Sequence, residues 1–460
     1  MRIVLTLLSL AALSLAAAAA ELHELLPDRL RCVVAVEFTI QTEVDRRQVF
    51  VSGTVVDDRG TIVLPGTQIL PGYSPEQLRD FKVYRPGSAE PAPATYLGQD
   101  SLTGFHYARV NEADFLAELK PVTAYPAGPR APFQGEELWG IGLRGKDEDF
   151  VPYVLSSKVA MVTRLPNETA LTAQDIGAPG LPVFDREGRL AGLALNSFGQ
   201  NFLLFSRNQH GTPIVLVNAE ESSVVLLASE FLPHLHRVPQ NVSGRPVSAF
   251  GAYGIQPVDP DVAKLLKLEQ RSGLVLSDIM EGSPAARSGL QDRDIILGIN
   301  GNPLPRLKPD RVLVGYFGQE ILKRLPGDKL LLTVLRGSEQ KEFEVVLGDE
   351  PKMVREAERR YFSRLGFTAR EFLAADSVFH RAKSAEHGGA IVHFLRPDSP
   401  AANAGLRPDD WIREIDGTPV KDYAEAVDRL ALIEGDEKRG EFVLLTSRGG
   451  ETQVLRVKLN

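Results

Sequence analysis

His106, Asp100 and Ser197 are of the types that together perform acyl transfer: an imidazole to take a proton, a carboxylate to hold that imidazole, and a hydroxyl to attack a carbonyl. Their setting argues against such a site, because His106 falls inside a short apolar run that reads as a strand, where a packed or exposed imidazole is the better reading. Elsewhere no histidine occurs between His23 and His106, and neither serine nor cysteine occurs between Lys158 and Asn196. His234-Leu235-His236 sets two imidazoles at i, i+2 with no further ligand signature, so no metal site is expected there or elsewhere. No cofactor is expected either. Cys32 is the only cysteine, which leaves no intrachain disulfide and reads as a buried thiol.

The elements that must position these groups are short. From Arg31 to about Val238, apolar runs such as Val33–Ile40, Val49–Val56, Gly60–Leu64, Leu138–Leu143 and Arg189–Leu195 are separated by Gly, Pro, Asp and Asn. That spacing, with little helical periodicity, predicts an all-β barrel or sandwich region. Leu226–Leu235 reads as a terminal helix and Pro239–Pro246 as a polar linker. At 460 residues the chain exceeds one hydrophobic core and predicts about three domains. A hydrophobic content of 43% and 24% charged residues fit a soluble globular protein, and Gly 40 with Pro 31 favours turn-rich β structure. The formal net charge of -8 works against phosphate backbones and anionic lipid, so nucleic acid is not an expected partner.

Met1-Arg2, the apolar stretch Ile3–Leu15 and the small residues Ala18-Ala19-Ala20 form the three regions of a secretory signal peptide. Cleavage is expected after Ala20, giving a mature chain outside the cytoplasm, periplasmic or extracellular. The apolar part falls short of the roughly 20 residues that cross a bilayer, so no stable membrane insertion is expected.

Beyond the linker the chain repeats itself. Gly282-Ser283-Pro284-Ala285-Ala286-Arg287-Ser288-Gly289-Leu290 followed by Asp294–Gly301 returns as Asp398-Ser399-Pro400-Ala401-Ala402-Asn403-Ala404-Gly405-Leu406 followed by Asp410–Gly417. In each copy Ser-Pro opens a short helix, Gly-Leu closes it, and an alternating strand ends in an Asn-Gly or Asp-Gly turn. Amphipathic helices near Gln319–Leu325 and Tyr423–Ile433 come next, each followed by a strand pair around Arg336-Gly337 and Arg448-Gly449. The charged stretch Glu350–Tyr361 reads as a connecting helix.

This repeat resembles the PDZ domain in the circular permutation of bacterial HtrA/Deg proteases, almost end to end in both copies. In that family a Gly-Leu-Gly-Phe-like loop opens the strand that receives a peptide, its amides converging on a carboxylate while the strand edge pairs with the extended ligand. The resemblance places this loop at Arg364-Leu365-Gly366-Phe367 and at Ala252-Tyr253-Gly254-Ile255. Ile255 and Phe367 would floor the pocket for the terminal side chain, facing Ile321 and Leu322 in the first copy and Val427 and Leu430 in the second. A bland alternative makes these apolar residues simply core, and another has the chain block its own groove.

The N-terminal region resembles the trypsin-like half of the same family through landmarks. Ser52–Leu64 is similar to the Ser-Gly strand and turn that lead to the family's histidine, and Thr67 then stands where the histidine belongs. Gly104 takes the place of the aspartate, ahead of Phe105–Val110. In Gly177-Ala178-Pro179-Gly180-Leu181, Pro179 replaces the serine. Threonine is no base near neutral pH, glycine has no side chain, and proline offers neither a nucleophile nor the N–H that serves as an oxyanion-hole donor. Of those donors only Gly177 would survive.

The expected fold is mainly β: a trypsin-like double β-barrel followed by two α+β PDZ domains. The expected organisation is a signal peptide (1–20), a degenerate trypsin-like domain (21–238), a linker (239–246), a first PDZ domain (247–349), a connecting helix (350–362) and a second PDZ domain (363–460). The expected function is an exported, non-catalytic protein that binds extended, unfolded or C-terminal peptide segments as adaptor, chaperone-like holder or regulator, with no catalytic residue. Two alternatives stand beside it: an active extracytoplasmic serine endopeptidase using other residues, and a structural assembly protein whose PDZ copies bind other subunits. The resemblance leaves a homo-oligomer open.

Overall fold

A computed structural model describes residues 22–459 apart from 67–68, 71, 165, 199–201, 206–212, 217–221, 240–241, 243–246, 253 and 383–387. The signal-peptide segment, Thr67, Tyr253 and most of the 239–246 linker therefore lie outside the described residues. Among the described residues no helix is long and apolar enough to cross a membrane.

The first barrel closes through β1 (Val33–Gln41), β2 (Arg46–Val55), β3 (Thr61–Leu64), β4 (Leu78–Tyr84), β5 (Pro91–Gln99) and β6 (His106–Val110), in the order β1-β2-β3-β6-β5-β4. β1 is buried on both faces because both are covered. Val34, Val36, Phe38 and Ile40 fill the barrel, while Val33 and Ala35 turn toward the second barrel. Glu37, 3% exposed on that outer face, accepts from Tyr84 Oη at 2.5 Å and Lys146 Nζ at 2.8 Å, which satisfies an otherwise costly buried carboxylate.

The second barrel uses β7 (Glu137–Leu143), β8 (Pro152–Arg164), β9 (Glu168–Thr172), β10 (Pro182–Phe184), β11 (Leu190–Phe198) and, after a hairpin of β12 (Phe202–Phe205) and β13 (Pro213–Leu216), β14 (Ser222–Leu227). A shared core of Val56, Phe105 and Tyr107 from one barrel against Trp139, Leu181 and Phe184 from the other joins them. The expected helix at Leu226–Leu235 is shortened. Leu226 and Leu227 pair with β11 to close the barrel, and only Ala228–Phe231 is α-helical, followed by a 3-10 turn at Leu232–His234.

The first C-terminal unit contains β15 (Ser248–Ala249), β16 (Gln256–Pro257), β17 (Leu274–Val275), β18 (Ile295–Ile299), β19 (Asn302–Pro303), β20 (Lys329–Arg336), β21 (Glu339–Val346) and β22 (Gly348–Asp349). The second contains β23 (Arg359–Phe362), β24 (Phe367–Glu371), β25 (Ala390–Leu395), β26 (Trp411–Ile415), β27 (Thr418–Pro419), β28 (Glu441–Arg448) and β29 (Glu451–Lys458).

The repeated motif folds as its residues require. Ser283 and Ser399 each accept a hydrogen bond from the amide three residues on, at 3.2 Å, and Pro284 and Pro400 sit at the first helical position. Asn300-Gly301 and Asp416-Gly417 all have φ > 0, the backbone of a two-residue hairpin turn. A buried carboxylate also repeats, with Asp294 held by Arg336 and Asp410 by Arg448, each through two N–H···O bonds of 2.6–2.8 Å.

The connecting helix expected over Glu350–Tyr361 is absent. A 3-10 turn occupies Val354–Glu356 and β23 follows, because Arg359–Phe362 gains a full antiparallel ladder with β24 that outweighs the local helix preference of its charged residues. The first groove helix runs over Val312–Leu322, earlier than expected, and the second over Tyr423–Gly435.

Candidate functional site

The segments that the resemblance assigns to the triad lie close together. A methyl group placed on Gly66 would lie 3.3 Å from Gly104 O and 3.7 Å from His106 Nε2, and one on Gly180 would lie 2.6 Å from Pro65 Cδ. Thr67 follows Gly66 outside the described residues. Gly104, at φ +71, presents only backbone, and Pro179 sits on the turn between Ala178 and Gly180.

The amides of the Pro179 loop point into the fold. Ala178 N–H donates to Ile141 O at 3.1 Å and Gly180 N–H to Ala194 O at 2.7 Å. Gly177 N–H faces Asp175 Oδ1 at 3.5 Å, and that carboxylate also takes Ser223 Oγ at 2.6 Å.

His106 is the imidazole of this region. It is 3% exposed, shares a 2.8 Å hydrogen bond between Nδ1 and Tyr96 Oη, and its Nε2 has no hydrogen-bond partner. Burial, helped by the Arg355 charge, lowers its pKa from 6.5 to about 3, so it is neutral at physiological pH and a weak base. Asp100 does not face it. That carboxylate accepts from Arg237 Nε at 2.9 Å and from Thr103 N and Oγ1 at 3.0 and 2.9 Å. With Asp100 bonded to Arg237 and Thr103 and His106 to Tyr96, the two are not brought together as a catalytic pair; the Ser197 side chain lies outside the described residues.

A pH dependence follows from burial. His393 in the second PDZ unit is likewise lowered to about 4, by burial first and then by Arg359 and Arg370. Both histidines are protonated in the unfolded chain below about 6.5 and stay neutral in the fold, so the unfolded state binds more protons in this window. Stability is complete above pH 6.5 and falls as pH drops toward 4, by up to about 1.4 kcal/mol per histidine per pH unit. Urea titrations at pH 7.5, 6, 5 and 4 check this, and His106→Gln is expected to flatten the curve.

In the PDZ units the structure sets a different register between the copies. Gly366 (φ +86) packs against Ser399, with Leu365 O accepting from Ala401 N and Gly366 O from Arg396 N. In the first copy Gly251 (φ +83) packs against Ser283, with Phe250 O accepting from Ala285 N and Gly251 O from Met280 N. The loop matching Arg364–Phe367 is therefore Ala249–Ala252, not Ala252–Ile255. Gly254 instead lies beside Ser277, whose hydroxyl donates to Gly254 O at 2.6 Å. The distance along the chain to the next Ser-Pro cap, matched within one residue by Gly251, was the signal that identifies it.

A cavity of about 580 Å³ opens between this loop and the first groove helix. Phe250, Gly251, Ala252 and Ile255 line one side, and Val314, Phe317, Ile321 and Leu322 the other. Of the residues read from sequence, Ala252, Ile255, Ile321 and Leu322 thus share one groove. Phe250, Gly251, Val314 and Phe317 were missed.

The second groove differs. β23 pairs along the free edge of β24, with Phe362 opposite Phe367 and Arg359 opposite Arg370. Phe362 is fully buried with Leu365, Phe367 and Leu430, while Val427 is half-buried beside them. Leu365, Phe367 and Leu430 therefore have an internal occupant between them. Arg364 is turned away, donating to the carbonyls of Glu434, Asp436 and Arg439 at 3.2, 2.6 and 2.8 Å beyond the second groove helix.

The protein family described as PDZ domain matches residues 275–313 and 395–439. A probable periplasmic serine endoprotease, DegP-like, from Pseudomonas putida (strain GB-1) is 27% identical over 64% of this chain and 59% of its own length. This chain is HtrA/DegP-like. A protein of the same name from Chlamydia pneumoniae is 24% identical over 51% of this chain and 44% of its own. The HtrA-type protease AlgW, solved with a tripeptide, shares the fold at TM-score 0.51 and 16% identity, covering 72% of this chain and 98% of that one. Two closed six-stranded barrels followed by PDZ units are the architecture expected from sequence.

One expectation is corrected. The sequence alone favours a non-catalytic protein, yet the relatives it matches are named serine endoproteases, which favours the endopeptidase alternative. The chain spans 59% of the length of the Pseudomonas putida relative.

Proposed function

We propose that this protein is an exported, periplasmic endopeptidase of the HtrA kind that takes extended or C-terminal peptide segments of its substrates in the first PDZ groove. The observation that carries the peptide half is the open apolar cavity between the Gly251 loop and Val314–Leu322, beside the short β16 edge. Such a site combines loop amides for a carboxylate, a strand edge for main-chain pairing and an apolar pocket for one side chain.

The names of the DegP-like relatives support the proteolytic half and the periplasmic location, as does the signal-peptide pattern ending at Ala20. Gly104 and Pro179 supply neither a base nor a nucleophile, so cleavage by this chain draws on other side chains than those two.

Casein turnover by the purified full chain is the test. Sustained release of peptides, proportional to protein and unchanged through a further purification step, is expected. No release above buffer, alongside release by a Pro179→Ser variant or by none, contradicts the endopeptidase half and leaves the groove to be judged by binding.

A further inference from the structure

We propose that the second PDZ groove is liganded by the chain itself, with Arg359–Phe362 standing where a peptide would bind, so that in its ground state the protein takes external peptides through the first groove alone. β24 has β25 on one side, and its other edge, which runs beside the second groove helix, is the edge an extended ligand would use. β23 fills that edge in antiparallel register over four residue pairs.

The direction is that of a bound C-terminus. β23 runs toward the Gly366 loop, and its last residue, Phe362, is opposite the first residue of β24. Phe362 O accepts the Gly366 amide at 2.7 Å, the kind of bond a terminal carboxylate would take from this loop. The Phe362 ring sits in the apolar pocket, its centroid 5.8 Å from that of Phe367, among Leu365, Leu430 and Ile433. Glu434 Oε1 accepts the Arg364 amide at 3.1 Å, so a second donor of the loop is also taken.

The first copy shows the contrast. There β15, directly before the Gly251 loop, pairs with β22, and no strand pairs with the outer edge of β16 among the described residues. The same connecting segment, together with β24, also holds the first barrel. Arg355 Nη1 reaches Gln99 Oε1 at 2.5 Å, Arg359 Nη1 reaches Gly72 O at 3.3 Å, and Thr368 Oγ1 donates to Glu43 Oε1 at 3.0 Å. An incoming peptide would have to break the ladder and displace a strand tied at both its ends.

The probe is a fluorescein-labelled nonapeptide copying Val354–Phe362, with a free C-terminal carboxylate. Added to the full chain with Phe362→Ala, it is expected to protect the β24 amides from hydrogen exchange and to bind at least tenfold more tightly there than in the native chain. Protection of β24 by the peptide in the native chain at equal concentration overturns the inference, as does an unchanged affinity in a folded variant. Should the variant not fold, exchange of the native chain decides. The Thr368–Arg370 amides are expected to exchange at least 100-fold more slowly than those of Ile255 and Gln256, and equal rates overturn the inference. Neither readout requires cleavage or binding in the first groove, so the two proposals fail separately.

Discussion

Replacing Arg237 with alanine is expected to destabilise the barrels by about 3–5 kcal/mol, the usual cost of leaving one partner of a buried ion pair alone. Asp100 is fully buried and Arg237 only 8% exposed, with Nε 2.9 Å from the carboxylate. The same guanidinium donates to Leu322 O at the end of the first groove helix, at 3.3 Å, and Asp100 O accepts from Gly104 N at 2.9 Å. Asp100 and Arg237 thus tie the Gly104 loop to the helix over Val312–Leu322. Urea titration of Arg237→Ala, Asp100→Asn and the double variant measures this. The double variant is expected to cost clearly less than the two singles combined, because no charge remains unpaired. A single-variant loss below about 1 kcal/mol would show that the pair is solvated in solution.

The second large effect concerns Gly251. At φ +83 an added side chain is strained, and its first carbon would lie 2.3 Å from Ser283 Cβ. Gly251→Val is expected to push the loop out of place and weaken peptide binding at least tenfold, about 1.4 kcal/mol, with the barrels still folded. Fluorescence anisotropy with a labelled peptide ending in a free apolar residue checks this. Gly366→Val is expected to leave that affinity within about twofold, since β23 already fills the second groove. Equal losses in the two variants would contradict the assignment of binding to the first groove.

Much of this architecture is legible in the residues. Ser283-Pro284 and Ser399-Pro400 cap helices by local hydrogen bonds, and Asn300-Gly301 and Asp416-Gly417 set turns by backbone freedom, so local chemistry alone places them. The positions assigned to the triad, Thr67, Gly104 and Pro179, rest instead on the family resemblance of the glycine and proline landmarks around them.

What escaped the sequence depends on long-range pairing. Arg359–Phe362 has charged, helix-compatible neighbours, and only the β24 edge, contributed by the following loop, makes it a strand. Likewise the loop in the first copy was placed at Gly254 from its resemblance to a four-residue pattern, whereas packing against Ser283 selects Gly251. The Asp100–Arg237 pair joins residues far apart in the chain, and no local pattern announces it.

A photo-crosslinking peptide gives the most direct measurement on the central claim. The probe carries benzoylphenylalanine next to a free apolar C-terminus, is irradiated with the full chain, and is mapped by mass spectrometry. Adducts are expected on Ile255–Pro257 and on Val314–Leu322, and are expected to be lost when the peptide is amidated. Adducts confined to the barrels, or equal labelling by the amidated peptide, would contradict capture of a C-terminal segment in the first PDZ groove.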